Sequence, residues 1–155
     1  MPLEIAYDLV GTGWSKCQVS DGANICKVTA SYLSDALGNL VMSAIAVLGE
    51  YHSLAFGFDE EPGEYRWVVE RAGNSDVSLQ IVEFSEMWSG AANADGQVLF
   101  STLVSRLDYA NAIHDAASKV LLDHGLAGYH AKWVEHPFPE QHLTALREVL
   151  EKRTQ

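Results

Sequence analysis

The stretch "SYLSDALGNLVMSAIAVLGEY", residues 31–51, decides the fold because the hydrophobic period of the chain changes there. Ser31 or Ser34 can cap the start of a helix, and Gly49 stands where a left-handed C-terminal residue belongs. The pattern predicts a helix over residues 32–48 that is apolar on most sides and therefore packs across a sheet. The apolar residues at helical spacing are Leu33, Leu37, Leu40, Ala44, Val47 and Leu48.

Upstream of this helix the chain alternates between apolar and polar residues, as half-buried strands do. The opening "MPLEIAYDLV" predicts one strand. The segment "GWSKCQVSDGANICKVTA", residues 13–30, predicts a hairpin because Asp21-Gly22 divides two alternating runs. A loop centred there sets Cys17 opposite Cys26, close enough for a disulfide. The two cysteines either form a redox switch or remain reduced thiols packed on the core face. Reduced thiols are the commoner state in a cytosolic protein, because the cytosol is reducing.

Downstream of the helix the alternation returns in "FGFDEEPGEYRWVVE", residues 56–70. A bend at Pro62-Gly63, with a four-residue loop from Glu61 to Glu64, predicts a second hairpin. Its register pairs Phe58 with Trp67, Phe56 with Val69, and Asp59 with Arg66.

Two further strands follow this hairpin. "VVERAGNSDVSLQIVEFS", residues 68–85, predicts a three-residue loop at 72–74 that sets Val69 against Val77. The run "QVLFSTLVS", residues 97–105, predicts the last strand.

The C-terminal third predicts two helices separated by a connector. The first covers residues 105–124 and stops at Gly125, and the second covers residues 139–152. Two prolines make "GYHAKWVEHPFPEQ", residues 128–141, an irregular connector. The fold class is therefore α+β in the order βββαββββαα, with three helices and a mostly antiparallel sheet of about six or seven strands. Residues 1–155 form a single domain in this prediction.

The negative charge of the chain excludes some classes of binding partner. Ten basic residues against twenty-one acidic residues give a formal net charge of -11. Such a surface repels nucleic acid and anionic membranes, and it favours a basic protein partner or serves solubility. The sequence has no long apolar run, and its N-terminal segment carries acids where a signal peptide needs bases, so we expect a cytoplasmic protein.

No catalytic, cofactor-binding or metal-binding motif is present, and we expect none of these three kinds of site. His124, His130, His136 and His142 recur every six residues, which is neither a helical nor a zinc spacing. Trp88 stands alone in the polar loop "SEMWSGAANADGQ". It either tucks under the loop, which is commoner, or contacts a ligand.

The stretch "DEEPGEYRW" supplies the candidate partner-binding surface. Its acids project at or beside a hairpin tip, and its tyrosine and arginine are residue types enriched in interface hot spots. A solvated tip without a partner is the alternative. The candidate residues are Asp59, Glu60, Glu61, Glu64, Tyr65 and Arg66, together with Trp88.

The segments "VTASYLSDALGNL", "DEEPGEYRWVVER" and "WVEHPFP" resemble a group of small, acidic, uncharacterised bacterial proteins. This resemblance implies a bacterial origin and supplies no catalytic residues. By charge and architecture the chain is also similar to the immunity proteins of bacterial toxin systems, which implies a toxin as the partner.

Three functions therefore stand as hypotheses. The first is an immunity-type protein that occludes a basic toxin without being an enzyme. The second is a small enzyme or ligand carrier with a pocket between the sheet and the 32–48 helix, lined by Trp67, Trp88, Tyr109 and His114. The third is a homo-oligomeric accessory protein that associates through a sheet edge.

Overall fold

The structure, a computed structural model, describes residues 2–153 and confirms the α+β class and the order βββαββββαα. Seven antiparallel strands form two sheets instead of one. The first sheet contains β1 (Glu4–Val10), β2 (Trp14–Ser20) and β3 (Ile25–Ser31). The second contains β4 (Ser53–Asp59), β5 (Glu64–Ala72), β6 (Asp76–Phe84) and β7 (Gln97–Ser105). The helices are α1 (Ala36–Leu48), α2 (Arg106–Trp133) and α3 (Glu140–Arg153).

One main core joins both sheets and all three helices. Each of these ten elements contributes at least one buried apolar side chain to it. The last helix turns one apolar face to this core, where Leu143, Leu146 and Leu150 are buried. Within residues 2–153 no helix combines the length and the apolar character needed to cross a membrane.

Helix α1 begins later than its hydrophobic pattern predicts. The N-cap is Asp35, whose carboxylate accepts a hydrogen bond from the Gly38 amide at 3.2 Å, and not one of the two predicted serines. An aspartate at this position also stabilises the positive end of the helix dipole. Gly49 ends the helix in an extended conformation, at φ -98°, so the prediction of a left-handed glycine was wrong.

Helix α2 continues beyond the predicted stop. Gly125 takes a non-helical conformation, φ 69° and ψ 174°, and kinks the helix without ending it. Helical structure resumes and reaches Trp133, so the prediction of an irregular connector was wrong for residues 128–133. The resumed segment buries Tyr129 and Trp133 fully, and the Trp133 indole donates a hydrogen bond to the Ser34 carbonyl at 3.3 Å. Burial of these two aromatic side chains stabilises the helix after the kink.

The β2–β3 hairpin has a different register from the predicted one. Its loop covers residues 21–24, where the Asp21 carboxylate accepts hydrogen bonds from the Ala23 and Asn24 amides at 2.9 and 2.7 Å. This side-chain turn moves the centre of the loop by one residue and the pairing by two. Cys17 consequently faces Val28, and Cys26 faces Val19.

The two hairpins of the second sheet are shifted in the same way. The β4–β5 loop covers residues 60–63, so Phe58 faces Tyr65, Phe56 faces Trp67, and Leu54 instead of Phe56 faces Val69. The β5–β6 loop has the predicted three residues but lies at 73–75. Every shift changes the pairing by two residues, and because the side-chain period of a strand is two, each side chain keeps its predicted face.

The corrected register places Cys17 and Cys26 diagonally across β2 and β3, where Cα atoms are about 7 to 8 Å apart and beyond the span of a disulfide. Both thiols are free and buried, and burial raises the pKa of each. We expect both to react slowly with a thiol reagent in the native protein and quickly in denaturant. Peptide mapping after mild oxidation checks this result, and an intrachain Cys17–Cys26 bridge would contradict the register.

Candidate partner-binding site

A cleft of about 670 Å³ lies between the β4–β5 loop and the segment that joins β6 to β7. Four carboxylate side chains line it, and no lysine or arginine lines it. They are Glu60, Glu83, Glu86 and Asp95. Phe84, Ser89 and Ala91 supply part of the remaining wall. We refer to these seven residues as the acidic cleft.

The segment 85–96 forms one wall of the cleft because it folds over the outer face of the second sheet. A small second core lies beneath it, where Val68, Val82 and Phe84 are buried and Ala91 packs against them. This apolar cluster is separate from the main core. This cluster holds the polar segment, whose only regular structure is a 3₁₀ turn at Asn93–Asp95, against the sheet.

Arg66 holds this wall to the sheet. Its guanidinium lies 4.1 Å from the centre of the Phe84 ring and donates hydrogen bonds to the Ala91 carbonyl at 2.7 Å and to the Asn93 side chain at 3.0 Å. It also pairs with Glu64 at 3.2 Å, and not with Asp59 as the predicted register requires. Because only 14% of its side chain is exposed, Arg66 has a structural role at the site.

The opposite wall is the β4–β5 loop, which is joined to the first by backbone contacts. The Met87 amide donates a hydrogen bond to the Pro62 carbonyl at 2.8 Å and so links the two walls. Within the loop itself, the Glu60 amide donates to the Gly63 carbonyl at 2.9 Å. A side chain at Gly63 would bring its Cβ within 2.6 Å of the Phe84 carbonyl oxygen. The close approach of the two walls therefore requires glycine at this position.

Trp88 stands at the edge of this arrangement with 72% of its surface exposed. Of the two alternatives for this side chain, tucking under the loop is therefore the one that the structure contradicts. Its backbone takes a left-handed φ of 58°, and its indole Nε1 donates a hydrogen bond to Asp59 Oδ2 at 3.0 Å. The Asp59 amide in turn donates to the Ser34 hydroxyl at 3.1 Å. An exposed aromatic side chain is thus held in one orientation by a buried carboxylate.

Burial raises the pKa of Asp59 above its ordinary value of 3.8. The hydrogen bond from Trp88 opposes this effect, and the nearby Glu61 carboxylate adds to it. Asp59 and Glu64 do not project from the tip as predicted, because Asp59 is 6% exposed and the Glu64 side chain is 11% exposed. The free negative charge of the tip comes from Glu60 and Glu61.

The Trp88–Asp59 contact predicts a pH-dependent signal. The folded state holds the Asp59 proton more tightly than the unfolded state, so ionisation of this group lowers stability as pH rises through its folded pKa. The chemical shift of the Trp88 indole proton should titrate with a midpoint above 3.8, and Asp59→Asn should abolish that titration while keeping an acceptor. An unchanged titration in Asp59→Asn would contradict the contact, and a midpoint at or below 3.8 would contradict the burial of the carboxylate.

The structure brings some of the predicted site residues together and separates others. Glu60 lines the cleft, while Asp59 and Trp88 bond to each other beside it. Tyr65 is half-buried against the main core, so it does not offer a free anchor. Glu61 is exposed at the tip.

Sequence reasoning missed three of the four carboxylates of the cleft. Glu86 and Asp95 flank Trp88 in a segment without a basic residue, which is a signal that was available in the sequence. Glu83 lies near the end of β6, where the strand pattern gives no indication of a role. Its place in the cleft depends on the path of the segment that follows.

The alternative pocket between the sheet and α1 does not form from its four predicted residues. Trp67 and Tyr109 are fully buried, with Trp67 stacked 5.7 Å from Phe56 and Tyr109 bonded to the Ser43 hydroxyl at 2.7 Å. Trp88 lies instead beside the acidic cleft, and His114 contacts Asp115 at 3.3 Å. Within residues 2–153 no three histidine, cysteine, aspartate or glutamate side chains converge as a metal site requires.

Comparisons with known proteins add one weak likeness. No protein-family model and no curated protein matches the chain. Among solved structures it is similar to a chain of the "CdiA-CT/CdiI toxin and immunity complex from Enterobacter cloacae", at 12% identity and a TM-score of 0.46, over 76% of this chain and 99% of that one. A superposition at this level carries no functional argument, so the proposals below depend on the residues of this chain.

Proposed function

We propose that the chain is a non-enzymatic protein-binding domain whose acidic cleft and Trp88 receive a basic protein partner. The observation that carries the proposal is the state of Trp88, which is 72% exposed and yet fixed by a hydrogen bond to the buried Asp59. A rigid exposed indole loses little conformational entropy on binding and buries a large area. Fold stability gives no reason for exposing it.

Charge supports a basic partner for this surface. The four carboxylates of the cleft and the exposed Glu61 lie on a chain whose net charge is already -11. Like charges gathered in this way repel one another, whereas lysine and arginine side chains of a partner neutralise them. Such a rim mainly speeds the encounter, while the aromatic side chain slows dissociation.

The finer proposal is an immunity-type role, in which the partner is a basic bacterial toxin that this domain inactivates by covering its surface in the cytoplasm. Such an inhibitor needs a stable fold, a charged surface and an anchoring side chain, but no chemistry of its own. The domain carries an acidic cleft beside a fixed aromatic side chain. These features support occlusion of a positively charged active surface through electrostatic complementarity.

The proteins encoded by the two genes that flank this one are the probes for the immunity-type role. We expect one of them to be basic, to arrest the growth of a bacterial host when expressed alone, and to bind this chain. Coexpression of this chain should restore growth. If neither product binds, the immunity-type role is wrong.

The contribution of charge is tested by replacing Glu60, Glu61 and Glu86 with glutamine. Association with the basic partner should slow by about tenfold at low salt, with a smaller effect at high salt and little change in dissociation. A matched control replaces three exposed glutamates elsewhere, namely Glu4, Glu135 and Glu148, and keeps the same net charge. Equal association rates for the two triple variants in stopped-flow measurements would place the binding surface outside the cleft.

A further inference from the structure

Strand β7 is an edge strand whose outer side has no partner strand within residues 2–153. It is nine residues long, and its sequence "QVLFSTLVS" contains no charged residue and no proline. Proteins usually protect such an edge with lysine, proline or a covering element, because its free amide and carbonyl groups can pair with another chain. Within β7 itself the one irregularity is a bulge at Leu99, between the residues that pair with Ile81 and Val82. The end of the β2–β3 hairpin lies beside the strand, where Asp21 bonds to Thr102 and Ile25 lines a groove with residues 98–101.

Exposed aliphatic side chains gather along this edge. Leu103 is 63% exposed, Val98 is 50% exposed and Leu99 is 38% exposed. Ile25, from the start of β3, is 63% exposed and lines a groove of about 350 Å³ together with residues 98–101. A contiguous apolar area beside unpaired backbone groups marks an association surface, and backbone pairing requires an extended strand as the occupant.

We propose that this occupant is the β7 strand of a second copy of the chain, added antiparallel about a two-fold axis at Ser101. In this register Ser101 faces its own copy, and Leu99 of one chain faces Leu103 of the other on both sides of the axis. The exposed leucines are therefore self-complementary, as a two-fold interface requires. The two second sheets become one eight-stranded sheet.

The absence of charge along β7 makes a second copy a compatible partner strand despite the net charge of the chain. Two chains of net charge -11 repel each other at most faces, but the uncharged β7 sets no like charges directly opposite one another. The register also places Gln97, next to Asp95 of the acidic cleft, opposite Ser105 of the copy. The end pairs of the interface are uncharged as well, because the Arg106 guanidinium, which follows Ser105, donates its hydrogen bonds to backbone carbonyls of Val47, Gly49 and Asn74 in its own chain.

Sedimentation velocity tests this dimer with two matched leucine variants. Leu103→Lys places a charge in the proposed interface, whereas Leu122→Lys places it on α2, where Leu122 is 85% exposed. The wild type and Leu122→Lys should form dimers, and Leu103→Lys should raise the dissociation constant by at least about tenfold. Circular dichroism verifies that both variants are folded. A wild type that stays monomeric at all soluble concentrations, or a Leu103→Lys variant that dimerises equally well, would overturn the proposal.

A cysteine placed on the axis tests the register. Facing residues of an antiparallel pair are about 4.5 to 5.5 Å apart at Cα, which a disulfide can span. Ser101→Cys should therefore form a disulfide-linked dimer on mild oxidation, while Thr144→Cys on α3, which is also exposed, should not. Equal yields from the two variants would overturn the two-fold register. The readout needs no partner protein, so it does not depend on the proposed function.

Discussion

Replacing Trp133 with alanine should lower the free energy of unfolding by about 3 to 5 kcal/mol, as the removal of a fully buried tryptophan from a core does. The side chain is fully buried and packs 6.5 Å from the ring of Tyr129. Its indole bond to the Ser34 carbonyl joins residues that are 99 positions apart in the chain. The two prolines that follow, Pro137 and Pro139, predict an irregular connector, in which a tryptophan would contribute little to stability. The burial of Trp133 in the core is the reason for expecting a large effect instead.

Leu122→Ala is the matched control for this prediction. Leu122 lies on the same helix before the Gly125 kink, and 85% of its surface is exposed. Its truncation should change stability by no more than about 0.5 kcal/mol. Urea denaturation of both variants measures the difference, and a Trp133→Ala loss below about 1 kcal/mol would contradict the packing of residues 126–133 against the core.

Trp88→Ala should weaken binding of the basic partner by at least about 2 kcal/mol, a change of roughly thirtyfold in the dissociation constant. The fold should lose only about 1 to 2 kcal/mol, since the indole makes one hydrogen bond to Asp59 and packs little of its surface. Calorimetric titration at a temperature where both proteins are fully folded separates the two effects. Most of the loss should lie in the dissociation rate.

Trp14→Ala provides the control for Trp88→Ala. Trp14 is 40% exposed and begins β2, outside the acidic cleft. Its removal deletes the same kind of side chain, partly exposed, outside the proposed interface. If Trp14→Ala weakens partner binding as much as Trp88→Ala does, the role proposed for Trp88 is wrong.

The fold could be predicted from the sequence at the level of faces and elements. The alternation around Trp67 and Val69 places both side chains on the core face of the sheet. A shift of two residues in the pairing leaves that face unchanged, so the predicted face is correct although the predicted register is wrong. The registers depend on loop details. The Asp21 carboxylate bonds to two amides and thereby centres the loop on residues 21–24, and hydrophobic alternation carries no information about that position.

The candidate site could be predicted only in part. The acids of the β4–β5 loop are visible as a cluster in the sequence, and Glu60 does line the cleft. The roles of Asp59 and Arg66 depend on a segment some 25 to 29 residues further along the chain. In that segment Trp88 bonds to Asp59, and the Ala91 carbonyl accepts a hydrogen bond from Arg66. Contacts across that distance arise from the path of an irregular segment, which no local pattern specifies.

Hydrogen exchange of this chain, free and bound to the basic product of a flanking gene, locates the surface that the partner covers. We expect slower exchange at the amides of residues 59–64 and 85–97, together with the indole of Trp88, and little change over α3. Protection confined to the helices or to the first sheet, with these two segments unchanged, would contradict the acidic cleft as the partner-binding surface.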